Sequence, residues 1–210
     1  MAEVKKNGVV VSPSNGSGDT TLQVKAETAD RGNRVAQIAA FEVEGAGVAT
    51  KRKFVATHLP ADEFIKFDNS SPAVDKGGGT ITLTGKSNSQ KITFSKGTGA
   101  IIGADISAVK FTANGAEATS GINISGDPGA KAKYSFSLTL IAAENETIEA
   151  RTQQIIAKAN GGQKATVTLK QTAGDPFIEV APTNIDVPQD GSAVQVTVDT
   201  NTTFTVTPIA

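Results

Sequence analysis

Apolar and polar residues alternate along most of this chain. In Thr80-Ile81-Thr82-Leu83-Thr84, Ile81 and Leu83 fall on one face and the threonines on the other. Lys91-Ile92-Thr93-Phe94 continues the pattern, and Tyr134-Ser135-Phe136-Ser137-Leu138-Thr139-Leu140 sustains it. Ala165-Thr166-Val167-Thr168-Leu169-Lys170, Ala193-Val194-Gln195-Val196-Thr197-Val198 and Thr203-Phe204-Thr205-Val206 repeat it. A period of two is that of a half-buried strand. Gly-rich punctuation separates the runs, as in Lys76-Gly77-Gly78-Gly79, Asn114-Gly115, Gly126-Asp127-Pro128-Gly129 and Gln189-Asp190-Gly191. Short strands between such turns predict an all-β sandwich. Ile148, Thr152, Ile155 and Ile156 also fit a helical spacing, as do Val35, Ile38 and Ala39. A strand is the expected form there, because the turn Asn160-Gly161-Gly162-Gln163 and a hairpin partner follow at once.

The chain repeats itself. Phe64-Ile65-Lys66-Phe67 returns as Phe177-Ile178-Glu179-Val180, 113 residues later, and Gly8-Val9-Val10-Val11-Ser12 returns at the same distance as Gly121-Ile122-Asn123-Ile124-Ser125. Leu22-Gln23-Val24-Lys25-Ala26 matches Leu138-Thr139-Leu140-Ile141-Ala142, and Arg34-Val35-Ala36-Gln37-Ile38 matches Arg151-Thr152-Gln153-Gln154-Ile155. Gly78, Ile81, Leu83 and Asn88 fall on Gly191, Val194, Val196 and Asn201. The order is a back half, a whole unit and a front half. The expected divisions are an N-terminal arm at 1–7, a partial unit at 8–63, a complete unit at 64–176 and a partial unit at 177–210.

The complete unit is long enough for its own core. Its expected inward face is Ile65, Phe67, Val74, Ile81, Leu83, Ile92, Phe94 and Phe111, then Phe136, Leu138, Leu140, Ile156, Val167 and Leu169. A half unit leaves open strand edges and an uncovered apolar face, and both need a partner. The candidate interaction segments are Gly8, Val9, Val10 and Val11 at the front, and Phe177, Ile178, Val194, Val196, Val198 and Phe204 at the back. Links such as His58-Leu59-Pro60-Ala61-Asp62 and Thr172-Ala173-Gly174-Asp175-Pro176 are too short to bring the halves together around the unit between them. At least one half is therefore expected to pair with another chain, by strand addition or domain completion.

Composition narrows the chemistry. A formal charge of −1 over 210 residues makes no electrostatic case for nucleic acid or an anionic membrane. The absence of Cys excludes a disulfide framework and thiolate metal sites. The N-terminal residues hold no apolar run like a signal-peptide core, and no stretch has the apolar length to span a bilayer. The lone His58 sits in a connection without local partners, and Lys76-Gly77-Gly78-Gly79-Thr80 lacks the spacing of a phosphate loop. Glu144-Asn145-Glu146 and Asp190 read as acidic turns without an ordered series of calcium ligands. Lys51-Arg52-Lys53 reads as a solvated strand end. No catalytic residue, cofactor or metal is expected.

Asp75-Lys76-Gly77-Gly78-Gly79, then Ser87-Asn88-Ser89-Gln90-Lys91-Ile92, then Val167-Thr168-Leu169-Lys170-Gln171-Thr172-Ala173-Gly174 resembles the BACON domain, an immunoglobulin-like module of Bacteroidetes and their phages. The stretch from Ile178 to Phe204 resembles the opening of another copy. The resemblance implies immunoglobulin-like sandwich modules, one complete and two partial. The family often carries a Trp after the Ser-Asn segment; Ile92 and Phe204 lie near that position, and this chain has no Trp. With one Tyr and nine Phe, most of them at core-like positions, it offers few platforms for sugars, so glycan binding is not expected. The leading expectation is a structural protein of a phage virion, made in the host cytoplasm. It would be an auxiliary or decoration protein binding a major capsid or a head or tail component, with self-association by strand complementation. The alternatives are a secreted or cell-surface carbohydrate-binding module and a tail or head-fibre spacer.

Overall fold

A computed structural model describes residues 2–27 and 32–209. Met1 and Ala210, which open the first expected segment and close the last, lie outside the described residues. Strands dominate, and the described residues contain no α-helix, only a short 3-10 turn at Pro128–Ala130. The alternating pattern thus yields an all-β sandwich architecture, and the ambiguous segment before the Gly-Gly turn is a strand.

The N-terminal unit has strands β1 (Val4–Lys6), β2 (Val9–Ser12), β3 (Gln23–Ala26), β4 (Gln37–Val43) and β5 (Arg52–His58). The first three form a sheet in that order, and β4 and β5 form a hairpin. Residues 1–7 were expected to be a separate arm, but β1 lies inside this sheet, paired with β2 around the positive-φ turn Asn7-Gly8. Positive φ at both positions is what a two-residue hairpin turn demands, and Asn-Gly supplies it with little strain.

The central unit has β6 (Ile65–Phe67), β7 (Ala73–Val74), β8 (Gly79–Ser87), β9 (Ile92–Gly99), β10 (Lys110–Ala113), β11 (Ala116–Thr119), β12 (Tyr134–Ala142), β13 (Arg151–Ala159) and β14 (Lys164–Gln171). A five-stranded sheet, β11-β10-β12-β8-β6, packs against a four-stranded sheet, β7-β14-β13-β9. Inward residues of both sheets form one core in which Phe94 meets Phe111 and Phe136, and Phe67 meets Phe136 edge to face. The expected core residues are buried here, with Phe67 partly covered at its margin, apart from one correction. Ile155 rather than Ile156 is fully buried, because the strand period places Gln153, Ile155 and Ala157 on the inner face. Ile101, Ile102 and Ile106 are buried although no alternation announces them. The Gln153 side chain holds their loop by accepting from the backbone N–H of Ile101 (2.8 Å) and of Ile102.

The C-terminal unit is one hairpin of β15 (Ile178–Ala181) and β16 (Thr197–Thr200). Its register repeats that of β6 on β8. Ile65 faces Ser87 and Phe67 faces Gly85; 113 residues later, Ile178 faces Thr200 and Val180 faces Val198. The turn before β8 repeats as well: Gly78 N–H donates to Asp75 O at 3.0 Å, and Gly191 N–H to Pro188 O at 3.1 Å. The duplication is therefore carried by backbone geometry as well as by composition.

Two of the matches shift. Ile38 was aligned with Ile155, but Ile38 is 63% exposed and Ile155 fully buried. The hairpin pairs Gln37 with His58 where β13 and β14 pair Arg151 with Gln171, and this sets Phe41 rather than Ile38 on Ile155. The Asn7-Gly8 turn has its counterpart in Asn114-Gly115, which also has positive φ at both residues and joins β10 to β11. Gly8–Ser12 therefore answers to Gly115–Thr119 and not to 121–125. The hairpins then differ in placement, since β2 lies against β3 while β10 lies against β12.

Leu138 is fully buried on β12, directly opposite Leu83. Leu138→Ala should cost about 2–5 kcal/mol of unfolding free energy, from lost transfer energy and the cavity left behind. A denaturant melt indistinguishable from that of the parent chain would remove Leu138 from the core.

Candidate assembly surface

The junctions between units are built on one motif used twice. Asn88, buried at the end of β8, donates through Nδ2 to Asp62 O (2.9 Å) and to Gly32 O (3.0 Å) of the N-terminal unit. Its Oδ1 accepts from Phe64 N–H (2.9 Å), and the neighbouring Ser87 hydroxyl donates to Phe64 O (2.8 Å). At the other end Asn201 donates to Asp175 O (2.9 Å) and Glu146 O (2.7 Å) and accepts from Phe177 N–H (3.1 Å), while the Thr200 hydroxyl donates to Phe177 O (2.6 Å). Each front half is thus clasped to the loop of the unit before it in the same way. Asn33 and Asn145, both buried, brace the loops being clasped; their Nδ2 groups donate to Leu59 O (3.4 Å) and Thr172 O (2.8 Å) respectively.

Further contacts are particular to each junction. At the first, Arg34 pairs with Asp127 and donates to Asn88 O (3.0 Å), and the main chain at 34 and 35 donates to Gly129 O and Ala130 O. At the second, Lys76 pairs with Asp175. Asn33 lies before β4, and Asn145 and Thr147 lie before β13, so the clasped loops close the same end of successive units.

The two junctions lie at opposite ends of the central sandwich. Ser87 and Tyr134 close one end of the β8–β12 ladder, and Gly79 and Ala142 close the other. At about 3.3 Å per residue, that strand length separates them by roughly 30 Å.

Among the described residues, both terminal units have fewer strands than the central one. In the N-terminal unit, β3 and β4 each have one strand neighbour and one free edge among the described residues, as has β5. Its core is small, with Val9, Val11 and Ala39 buried and Phe41, Phe54 and Ala56 partly covered. A cleft of about 880 Å³ remains between the sheet and the hairpin, lined by Val11, Leu22, Phe41, Val43 and Phe54 among others. In the C-terminal unit the expected inward residues lie open. Val196 is 43% exposed where Leu83 is 3%, and Val187 is 67% exposed where Val74 is 4%. Each such side chain forgoes about 1.5–3 kcal/mol of burial.

The candidate interaction residues divide accordingly. Phe177, Ile178, Val194, Val196 and Phe204 are exposed, and Val198 is half-buried opposite Val180. Gly8, Val9, Val10 and Val11 are buried, with β2 paired on both edges. That correction follows from β1, which occupies the edge that β2 would have offered. Among the described residues, β3, β4 and β5 keep free edges.

His58 Nδ1 and Glu63 Oε1 are buried without a hydrogen-bond partner, while other chemistry-bearing residues have structural partners. Lys51 bonds to Glu44 and Glu42, and Lys53 pairs with Glu42, across the β4–β5 hairpin. The Lys51 hydrogen bond draws the Glu42 carboxyl below its ordinary value, and Glu44 in turn raises Lys51. Asp190 is lowered by the Ser192 backbone N–H in its turn. Among the described residues, no three His, Cys, Asp or Glu side chains are grouped to hold a metal ion. Tyr134 is a core residue, its hydroxyl donating to Ser89 O at 2.7 Å, so its ring is closed to sugars. The exposed rings among the described residues include Phe177 and Phe204.

No family model matches the chain, and no curated protein matches it. Among solved structures, an NMR structure of a protein from Bacteroides thetaiotaomicron is similar over 56% of this chain and 92% of that one, at 15% identity and a TM-score of 0.27. A likeness at that score carries no functional argument.

Two outcomes are expected here. Asn88→Ala leaves the Phe64 N–H and two carbonyls unpaired, so it should cost about 1–3 kcal/mol in a urea melt; an unchanged midpoint would contradict the clasp. Burial pushes the Tyr134 hydroxyl from an ordinary 10.0 up to about 12. Its contribution is complete below pH 10 and is lost as pH rises through about 12. Melts from pH 9 upward should lose stability over that window, and Tyr134→Phe should flatten the loss. An equal slope in both proteins would put the titration elsewhere.

Proposed function

We propose that this chain is a non-enzymatic structural protein that works by binding, and that it serves in a phage particle as an auxiliary or decoration protein against a major capsid or head or tail component. One observation carries the binding role: apolar side chains lie open on both units that flank the central sandwich, Leu22, Val24 and Val43 on one and Val187, Val194 and Val196 on the other. Such faces are costly in isolation and suit assembly. The virion setting follows from the resemblance of the repeat to BACON-like immunoglobulin-like modules, carried by Asp75–Gly79, Ser87–Ile92 and Val167–Gly174. Glycan binding is the weaker reading, since the aromatic rings that could stack on a sugar are mostly committed to cores.

Negative-stain imaging of purified particles with a gold-labelled antibody to this chain tests the setting. Label is expected at regular positions on heads or tails, and unlabelled particles would overturn it. A chain lacking 177–210 should fail to join particles while its central unit still melts cooperatively. Equal incorporation would remove the C-terminal unit from the interface. Saturable binding on a glycan array, lost with Phe177→Ala or Phe204→Ala, would replace this reading with the carbohydrate-binding one.

A further inference from the structure

We infer that the cleft of the N-terminal unit is a binding site for a small amphipathic carboxylate, an unbranched alkyl chain ending in one anionic head. The inference goes beyond the assembly role proposed above and does not depend on it. The cleft holds about 880 Å³ between the β1–β3 sheet and the β4–β5 hairpin. That volume falls among those of small-molecule sites, which join apolar walls to a few placed polar groups.

Strand register decides which side chains form the walls. Val9 and Val11 of β2 are buried against the hairpin with Ala39, so their face of the sheet is the inner one. Residues directly opposite each other share a face. Lys6 lies opposite Val9 and Val4 opposite Val11, so both belong to the inner face. Val24 lies opposite Val11 on the other side, and Leu22 shares its face two residues earlier. On the hairpin, Phe41 and Val43 follow Ala39 at a spacing of two, and Phe54 lies opposite Phe41. The two rings stack at 5.3 Å with 20° between their planes. One wall is therefore aliphatic and the other is an aromatic pair.

Charge selects the ligand. Five charged residues line the cleft: Glu3, Lys5, Lys6, Glu42 and Glu44. Glu3 pairs with Lys25, Lys5 with Glu27, and Glu42 and Glu44 with Lys51. Glu3 and Lys5 alternate with Val4 and Lys6, and Glu42 lies between Phe41 and Val43, so the paired groups stand on outer faces. Among the described residues, Lys6 is the one lining charge without an ion pair, and it is the one on an inner face. The cleft thus offers a single uncompensated cation beside an apolar floor. An uncharged apolar ligand leaves the ammonium unanswered, and an inorganic anion leaves the walls uncovered. A ligand with both parts answers both.

The same register places the ligand. The carboxylate rests at Lys6 on the β1 edge. The chain runs diagonally over Val11 toward Leu22 on the far side of β2, with Phe41 and Phe54 against its other flank. From strand rise and strand spacing this path is roughly 15 Å, the length of an extended alkyl chain of fatty-acid size.

Calorimetric titration of the full chain with dodecanoate, below its micelle concentration, tests the inference. Dodecyltrimethylammonium, with the same chain and the opposite head charge, is the control. Saturable binding of one dodecanoate is expected, tighter than the control by about three-fold or more, as for a solvent-accessible ion pair. The preference should shrink as salt is raised. Lys6→Met keeps the stem and removes the charge, so it should erase the preference while leaving the chain contribution. Leu22→Asp should abolish dodecanoate binding. Amide shifts on titration should fall at Val11, Leu22 and Phe41 and not at the exposed Val194 and Val196. Equal affinity for the two heads in the parent overturns the inference, as does a preference that survives Lys6→Met. If Lys6 serves only to blunt a strand edge, that variant self-associates and the head preference is absent from the parent. Shifts confined to the C-terminal unit, or no saturable binding, also overturn it.

Discussion

A buried primary amide must find partners for both its donors and its acceptor, and Asn88 finds them in three segments at once. Its side chain joins the strand it ends, the link that enters the central unit and the loop of the unit before it. Losing any partner would leave an unpaired polar group out of water, so the junction has one arrangement of low energy. Asn201 repeats that arrangement. The order of units along the chain is thereby converted into a direction in space, and the terminal units are held apart at opposite poles.

The remaining architecture follows from what each unit contains. The central unit has both halves, so nine residues of β8 pair with β12 and the inner faces close on one core. The N-terminal unit has five strands among the described residues. It folds by covering β4 and β5 with β2, which buries Val9, Val11 and Ala39 but leaves a cleft. In the C-terminal unit the described residues form a four-pair hairpin that would be marginal alone and that the clasp holds in place. Val187, Val194 and Val196 have the chemistry of core residues because their counterparts Val74, Ile81 and Leu83 are core residues.

Much of this was legible in the pattern of the chain. Strict alternation marked the long strands, and the paired anchors Phe64–Phe177 and Asn88–Asn201 marked the repeat. Local ambiguity hid the rest. Ile155 and Ile156 are equally apolar, and only the strand's phase decides which is buried. Ile38 drew a match to Ile155 by identity, whereas the inward residue is Phe41. The Asn7-Gly8 and Asn114-Gly115 turns share a dipeptide that could have revealed the hairpin match, but the valines after Gly8 favoured 121–125. The burial of Ile101, Ile102 and Ile106 depends on a long-range bond from Gln153, and the orphaned nitrogen of His58 depends on what the fold packs over it. Neither has a local signature.

Amide hydrogen exchange in Asn201→Ala against the parent chain tests the central claim most directly, because a short hairpin held in place by a clasp opens when the clasp is removed. The account predicts that exchange within β15 and β16 quickens while Leu138 in the central unit stays protected. Exchange in β15 and β16 that the substitution leaves unchanged would contradict it.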